Sequence, residues 1–273
     1  MQATQMRLAK GFLARSLDEL KRRSSIAWNL DAVKGPSGPR PLYDFDTPDA
    51  VSNCIVMSDA HIGGSSQTLL DHIAAPTSSP HHPPSSSPHS PSSFPSTPAA
   101  YARFHGHIST ALPDDRLAIQ RTGYAAFRTP DQGATLFGRS VWDIDPWTFL
   151  ALRIKSDGRA YYVNLQTETV EPSDLHQHRL FAKRPGQWET VYIRWNDFVR
   201  TNYGFVVEPQ TELLRQKVRT VGIGLTDRVE GPFELCIERV WATNKTDEGG
   251  DPTTVEVGKE GQLKNRKGDR IHW

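Results

Sequence analysis

Apolar and polar positions alternate with period two along Phe149-Leu-Ala-Leu-Arg-Ile-Lys155 and again along Tyr161-Tyr-Val-Asn-Leu-Gln166, the pattern of half-buried strands. Asp157-Gly158 lies between them, a dipeptide that favours a two-residue type I′ turn. Closing a hairpin there pairs Ser156 with Arg159. It sets Ile154 opposite Tyr161, Leu152 opposite Val163 and Leu150 opposite Leu165. The apolar residues then meet on one face, and a one-residue slip would destroy the match. The other face collects Arg153, Lys155, Tyr162, Asn164 and Gln166. The run Trp188–Trp195, followed by Asn196-Asp-Phe198, completes one wall of an antiparallel sandwich with a polar, aromatic outer face.

Further strands are predicted near Leu42–Phe45, Asn53–Ser58, Tyr101–Ser109, Arg121–Arg128, Val218–Thr226 and Phe233–Ala242. Short strands with turn signals and few helical stretches argue for an all-β sandwich. Glu212–Lys217 reads as a short helix inside the domain, and Phe198–Thr201 as the start of a loop.

The first residues follow a different period. Met6, Leu13, Leu17 and Leu20 recur at helical spacing, with Ala9 and Ala27 on or near the stripe. Arg7, Lys10, Arg15, Lys21, Arg22 and Arg23 fill much of the remainder, against only Asp18 and Glu19. Ser16-Leu-Asp-Glu19 has the spacing of a capping box, so a helix is expected to restart there after Gly11. Three readings stand: a targeting helix, a basic amphipathic helix on an anionic membrane touching it through Arg7, Lys10, Leu13, Leu17 and Leu20, or a helix packed on its own domain. The expected organisation is this helix in 1–34, a hinge-like linker at 35–41, a sandwich over 42–244 and a polar flexible tail at 245–273. Residues 74–100 hold eight prolines and nine serines with only Phe94 as a large apolar side chain. Such a segment cannot offset its ordering entropy by burial and reads as a disordered insertion.

Composition narrows the function classes. Basic and acidic residues nearly cancel, 32 against 31, so nothing argues for attraction to duplex nucleic acid. No run of about 18 apolar residues offers a spanning helix, and no signal-peptide core suggests secretion. Cys54 and Cys236 lie in apolar runs and read as buried, reduced thiols.

The chemical motifs are mostly declined. Gly222-Ile-Gly224 lacks the third glycine of a dinucleotide loop and sits in a strand pattern, where it lets a neighbouring chain approach closely. Gly63-Gly64 lacks the lysine of a phosphate cradle and reads as a tight turn. His105-Gly-His107 and His176-Gln-His178 could in principle join in a zinc site, but no carboxylate spacing supports one. Glu168, Glu171 and Asp174 form an acidic cluster of the solvated kind. We expect no catalytic residue, metal or cofactor. The candidate surface is the outer strand face, with Arg153, Tyr162, Asn164, Gln166 and Arg194 as partner- or ligand-binding residues, because flat rings, amide forks and guanidinium forks on a firm scaffold suit a desolvated contact.

Seven segments occur in an order that resembles a known family: Tyr43-Asp-Phe-Asp46, Ser58-Asp-Ala-His-Ile-Gly-Gly64, Tyr161–Glu168, Leu175-His-Gln-His-Arg179, Pro185-Gly-Gln-Trp-Glu-Thr190, Trp195-Asn-Asp-Phe198 and Gly231-Pro-Phe-Glu-Leu235. They resemble the complex I intermediate-associated protein 30 family over roughly Arg40 to Asn244, with the Pro/Ser insertion as the departure. The resemblance implies a galactose-binding-domain-like jelly roll without catalytic residues. It also implies a chaperone of the mitochondrial matrix, peripheral to the inner membrane. Its expected partners are membrane-arm subunits of complex I and other assembly factors. Two rival readings use the same face: a carbohydrate-binding module, which a glycan array would reveal, and a single-stranded RNA binder, which salt-dependent crosslinking would reveal.

Overall fold

The structure is a computed structural model and describes residues 11–29, 38–74, 100–114, 119–169, 171 and 173–246. Arg7 and Lys10, most of the Pro/Ser insertion and most of the polar tail lie outside the described residues. Two antiparallel sheets form a sandwich. The first runs in the order β11 (Trp188–Arg194), β8 (Phe149–Ser156), β15 (Gly231–Thr243), β4 (Tyr101–Ile108), β3 (Gln67–Ile73), and β1 (Arg40–Asp44) pairs with the C-terminal half of β15. The second runs β13 (Phe205–Val206), β12 (Val199–Asn202), β10 (Asp174–Arg179), β9 (Tyr161–Thr167), β14 (Val218–Leu225), β5 (Ala125–Arg128), β2 (Ile55–Ser58). A small hairpin of β6 (Ala134–Thr135) and β7 (Gly138–Arg139) stands apart. Helix α1 (Phe12–Asn29) lies against that hairpin, and α2 (Pro48–Ser52) is a single capped turn.

The core forms where the inward faces meet. Leu150, Leu152 and Ile154 of β8, with Tyr161, Val163 and Leu165 of β9, are fully buried. These are the residues that the alternation assigns to the inside. The predicted hairpin between the two strands is nevertheless wrong. β8 pairs with β11 and β15, whereas β9 pairs with β10 and β14. The two strands therefore face each other across the core instead of lying side by side.

The turn explains this. Only Gly158 takes a left-handed conformation (φ 92°), where a type I′ turn needs two such residues. Its polar groups are claimed by other segments. Asp157 accepts the Glu234 N–H at 2.8 Å and the Tyr161 hydroxyl at 3.1 Å. Arg159 grips Asp227 through two bonds of 3.0 and 2.7 Å and also donates to the carbonyls of Gly231 and Pro232. These bonds tie the turn to the β14–β15 connection and carry the chain from one sheet to the other.

Smaller expectations also shift. Helix α1 starts at Phe12, so Ser16 is no cap: its hydroxyl donates to the Phe12 carbonyl and accepts the Leu136 N–H at 2.9 Å. Glu19 pairs instead with Arg22 and Arg23. The predicted helix over 212–217 shrinks to a 3-10 turn at Arg215–Lys217, and the segment after Phe198 is strand β12. Strand β1 begins at Arg40, inside the segment read as linker.

Candidate functional site

Strand β9 sits near the middle of the seven-stranded sheet. It buries Tyr161, Val163, Leu165 and Thr167, and its alternation aims Tyr162, Asn164 and Gln166 outward, where all three are half-buried. Register fixes their neighbours. Gln177 lies opposite Asn164 and Arg179 opposite Tyr162 on β10. On β14, Thr220, Gly222 and Gly224 lie opposite Gln166, Asn164 and Tyr162. Arg128 and Ala126 of β5 follow, and then Ile55 and Met57 of β2.

The result is a trough. Its floor is Gly222, Gly224 and Ala126, and its walls are Tyr162, Asn164 and Gln177 on one side and Arg128, Ile55 and Met57 on the other. Packing keeps the floor bare: a Cβ at Gly222 would come within 2.7 Å of the Phe127 carbonyl oxygen, and one at Gly224 within 3.0 Å of the Asn164 amide. Gln177 donates its amide to Asn164 Oδ1 at 2.8 Å, which fixes one wall. On the other wall Arg128 donates to Asp131 at 3.3 Å, and Asp131 also receives Arg219 at 2.6 Å. Partial burial pushes the Asp131 carboxyl up, but the Arg219 and Arg128 guanidinium groups outweigh it and hold it below the usual carboxylate range. At the far edge, the Arg121 guanidinium lies 5.6 Å from the Phe205 ring centroid, so the loop before β5 reaches strand β13.

The five residues expected to share one face do not. Tyr162, Asn164 and Gln166 line the trough, whereas Arg153 and Arg194 project from the outside of the first sheet, across the sandwich. Arg153 lies between Thr190 and Arg239 in register, with its Nε 4.0 Å from Glu238. The inter-sheet turn at Asp157-Gly158 separates them. Gln177, Arg128 and the glycine floor were missed as site residues; the paired glycines in a strand pattern were the available signal.

The other chemical groups are built into the fold. His105 belongs to β4, where it meets Asp71 at 2.7 Å, whereas His176 and His178 belong to β10 in the other sheet. The two pairs cannot join, and among the described residues no group of three or more His, Cys, Asp or Glu is placed to hold a metal ion. Asp174 of the acidic cluster is buried and meets Arg200 at 2.6 Å and Asn202 at 2.8 Å. Cys54 and Cys236 are free and buried, and burial pushes both thiols up to about 11. They are poor nucleophiles at neutral pH.

Residues 43–237 match the model of the family described as complex I intermediate-associated protein 30, and the chain belongs to that family. It is 52% identical over 271 residues to the mitochondrial complex I intermediate-associated protein 30 of Neurospora crassa, covering 99% of this chain and 96% of that one. The mitochondrial proteins of the same name from Drosophila melanogaster and Mus musculus are 24% and 26% identical. They align with 73% and 76% of this chain, which spans about three fifths of their length (61% and 60%). Among solved structures, the family 11 carbohydrate-binding module of the cellulosomal cellulase Lic26A-Cel5E of Clostridium thermocellum is 12% identical with a TM-score of 0.48, covering 77% of this chain and 97% of that one.

Proposed function

We propose that this chain is a non-catalytic chaperone of the mitochondrial matrix that holds membrane-arm intermediates of complex I and is absent from the mature enzyme. The observation that carries the reading is the 52% identity to the Neurospora protein along nearly the full length of both chains. It makes a shared assembly role the simplest account. The trough on the seven-stranded sheet is the gripping surface in this reading. Tyr162 and Asn164 sit on β9 and Gln177 on β10, strands with paired neighbours on both sides, so little side-chain entropy is left to lose on binding. The bare glycine floor admits a partner close to the backbone.

Affinity purification of the tagged chain from mitochondria tests the role. Membrane-arm subunits and other assembly factors are expected to copurify, without the subunits that join last. Copurification of the fully assembled enzyme, or of no complex I subunit, would overturn it.

A further inference from the structure

An amphipathic helix on a globular domain normally turns its apolar stripe inward. Helix α1 does the reverse. Its contacts with the domain are polar: Arg15 donates to the Ala134 carbonyl at 3.2 Å, Ser16 accepts the Leu136 N–H, and the Arg23 guanidinium lies 5.0 Å above the Phe137 ring. Between helix and domain lies a cleft lined by charged groups including Arg15, Glu19, Arg22 and Arg40. The apolar stripe points away. Leu13 is 75% exposed, Leu17 57%, Leu20 48% and Trp28 89%. The tip of the β6–β7 hairpin, held beside the helix by the Ser16–Leu136 bond, adds Leu136 at 74% and Phe137 at 39%.

We propose that this composite surface, the outer stripe of α1 together with the Leu136-Phe137 tip, seats the protein in the interfacial layer of an anionic lipid bilayer. The stripe is too polar to cross: among the described residues no helix is long and apolar enough to span a membrane. A helix with leucines on one side and cations around them lies in the plane of the interface. Charge decides for lipid over an apolar protein groove. Residues 12–29 carry four basic side chains against two acidic ones, and Arg7 and Lys10 precede them in sequence. Lys21 is exposed beside the stripe, and an anionic leaflet attracts such a cation. Trp28, the most exposed large apolar side chain of α1, is a side chain suited to the headgroup level. Because α1 meets the domain through hydrogen bonds and a cation–π contact, the sandwich would ride on the bilayer in one fixed attitude. The proposal gives a physical basis to the peripheral inner-membrane location that the family resemblance implies, and its test reads lipid binding alone, so it can fail while the chaperone reading stands.

The full-length purified chain is mixed with phosphatidylcholine vesicles with or without phosphatidylglycerol, then floated on a density gradient. Cofloating with the anionic vesicles is expected, with quenching of Trp28 by brominated lipid that disappears in Trp28→Phe. The double variant Leu13→Asp/Leu17→Asp is expected to partition at least about tenfold less, and Leu136→Asp several-fold less, both with unchanged sheet signal by circular dichroism. Lys21→Glu is expected to weaken binding in a salt-dependent way. Should the double variant lose its fold, Leu136→Asp, which lies outside the helix, decides. Full binding by Leu136→Asp, no binding by the unaltered chain, or concentration-dependent self-association in place of vesicle binding would overturn the proposal. Capture of solubilised membrane-arm subunits without any affinity for bare vesicles would also overturn it.

Discussion

Ile73 at the end of β3 and Tyr101 at the start of β4 are direct partners in the antiparallel ladder. The Pro/Ser segment between them therefore closes a β-hairpin, and its ends are already held together. Deleting Thr77–Pro98 leaves Ala74, Ala75, Pro76, Ala99 and Ala100 to connect the two strands, a loop of ordinary hairpin length. Closing a shorter loop costs the chain less entropy. The deletion is expected to shift the melting temperature by no more than a few degrees in a thermal scan, and insoluble protein would contradict it.

Asp59 is fully buried and acts as an acceptor hub. It receives the Ser66 N–H at 3.0 Å, the Ser66 hydroxyl at 2.8 Å and the Gly123 N–H at 2.6 Å. It joins the loop after β2 to the segments leading into β3 and β5. Asp59→Ala strands these donors, at about 1–3 kcal/mol for each buried group left unsatisfied. A loss of several kcal/mol is expected in urea unfolding. Gly64→Ala is expected to be damaging for the same reason, because its Cβ would fall 2.3 Å from the Asp59 carboxyl carbon.

Leu152 and Arg153 are neighbours with opposite surroundings. Leu152 is fully buried in the core, while Arg153 lies on the outer face with its side chain partly covered. Leu152→Asp buries an unpaired charge and is expected to unfold the domain. Arg153→Ala is expected to keep it folded. Circular dichroism on both variants separates the two faces, and equal stability would contradict the assignment.

Acid sensitivity should come from the polar interior beneath β10. Burial pushes His176 and His178 below the ordinary histidine range. Below about pH 6.5 the unfolded chain binds protons that the folded chain resists, so stability rises with pH and falls as the solution is acidified through that value. Asp174 acts lower down. The Asn202 bond, with Arg200, holds its carboxyl below the usual range despite burial, so its contribution is present above about pH 4 and is lost as pH falls further. Urea midpoints measured between pH 8 and pH 4 are expected to fall with acidification, with a shallower slope for His176→Asn. An unchanged slope would remove His176 from this account.

The inward residues of β8 and β9 were legible in the sequence because alternation depends only on which side of a strand meets the core. Their partners were not legible, since two apolar faces match equally well side by side or face to face. The Asp157–Glu234 and Arg159–Asp227 bonds that decide the matter connect residues far apart in sequence. Strand β3 escaped notice because Leu69 points outward beside inward Leu70, which blurs the alternation. Strand β10 inverts it: Asp174, His176 and His178 share the side of β9's buried residues. The family segments were legible, yet many of their residues hold the fold. Phe45 and Trp195 fill the core, Asp59 joins loops, and Glu189 accepts the Lys183 and Arg184 N–H groups at 3.1 Å. The trough was half legible, through Tyr162, Asn164 and Gln166. Its opposite wall comes from Arg128 and β2, which only the sheet order brings alongside.

Replacing Tyr162 and Asn164 together with alanine tests the central claim most directly. Neither side chain enters the core, so the variant is expected to fold as the unaltered chain does. At an interface centre an aromatic ring and an amide fork can each contribute about 1 kcal/mol or more. In Neurospora crassa cells lacking the related protein and supplied with this chain, native-gel quantification of complex I is expected to show restored assembly for the unaltered chain. The double variant should restore clearly less, with fewer copurified membrane-arm subunits. Full restoration by the double variant at equal protein level would contradict the trough as the working surface.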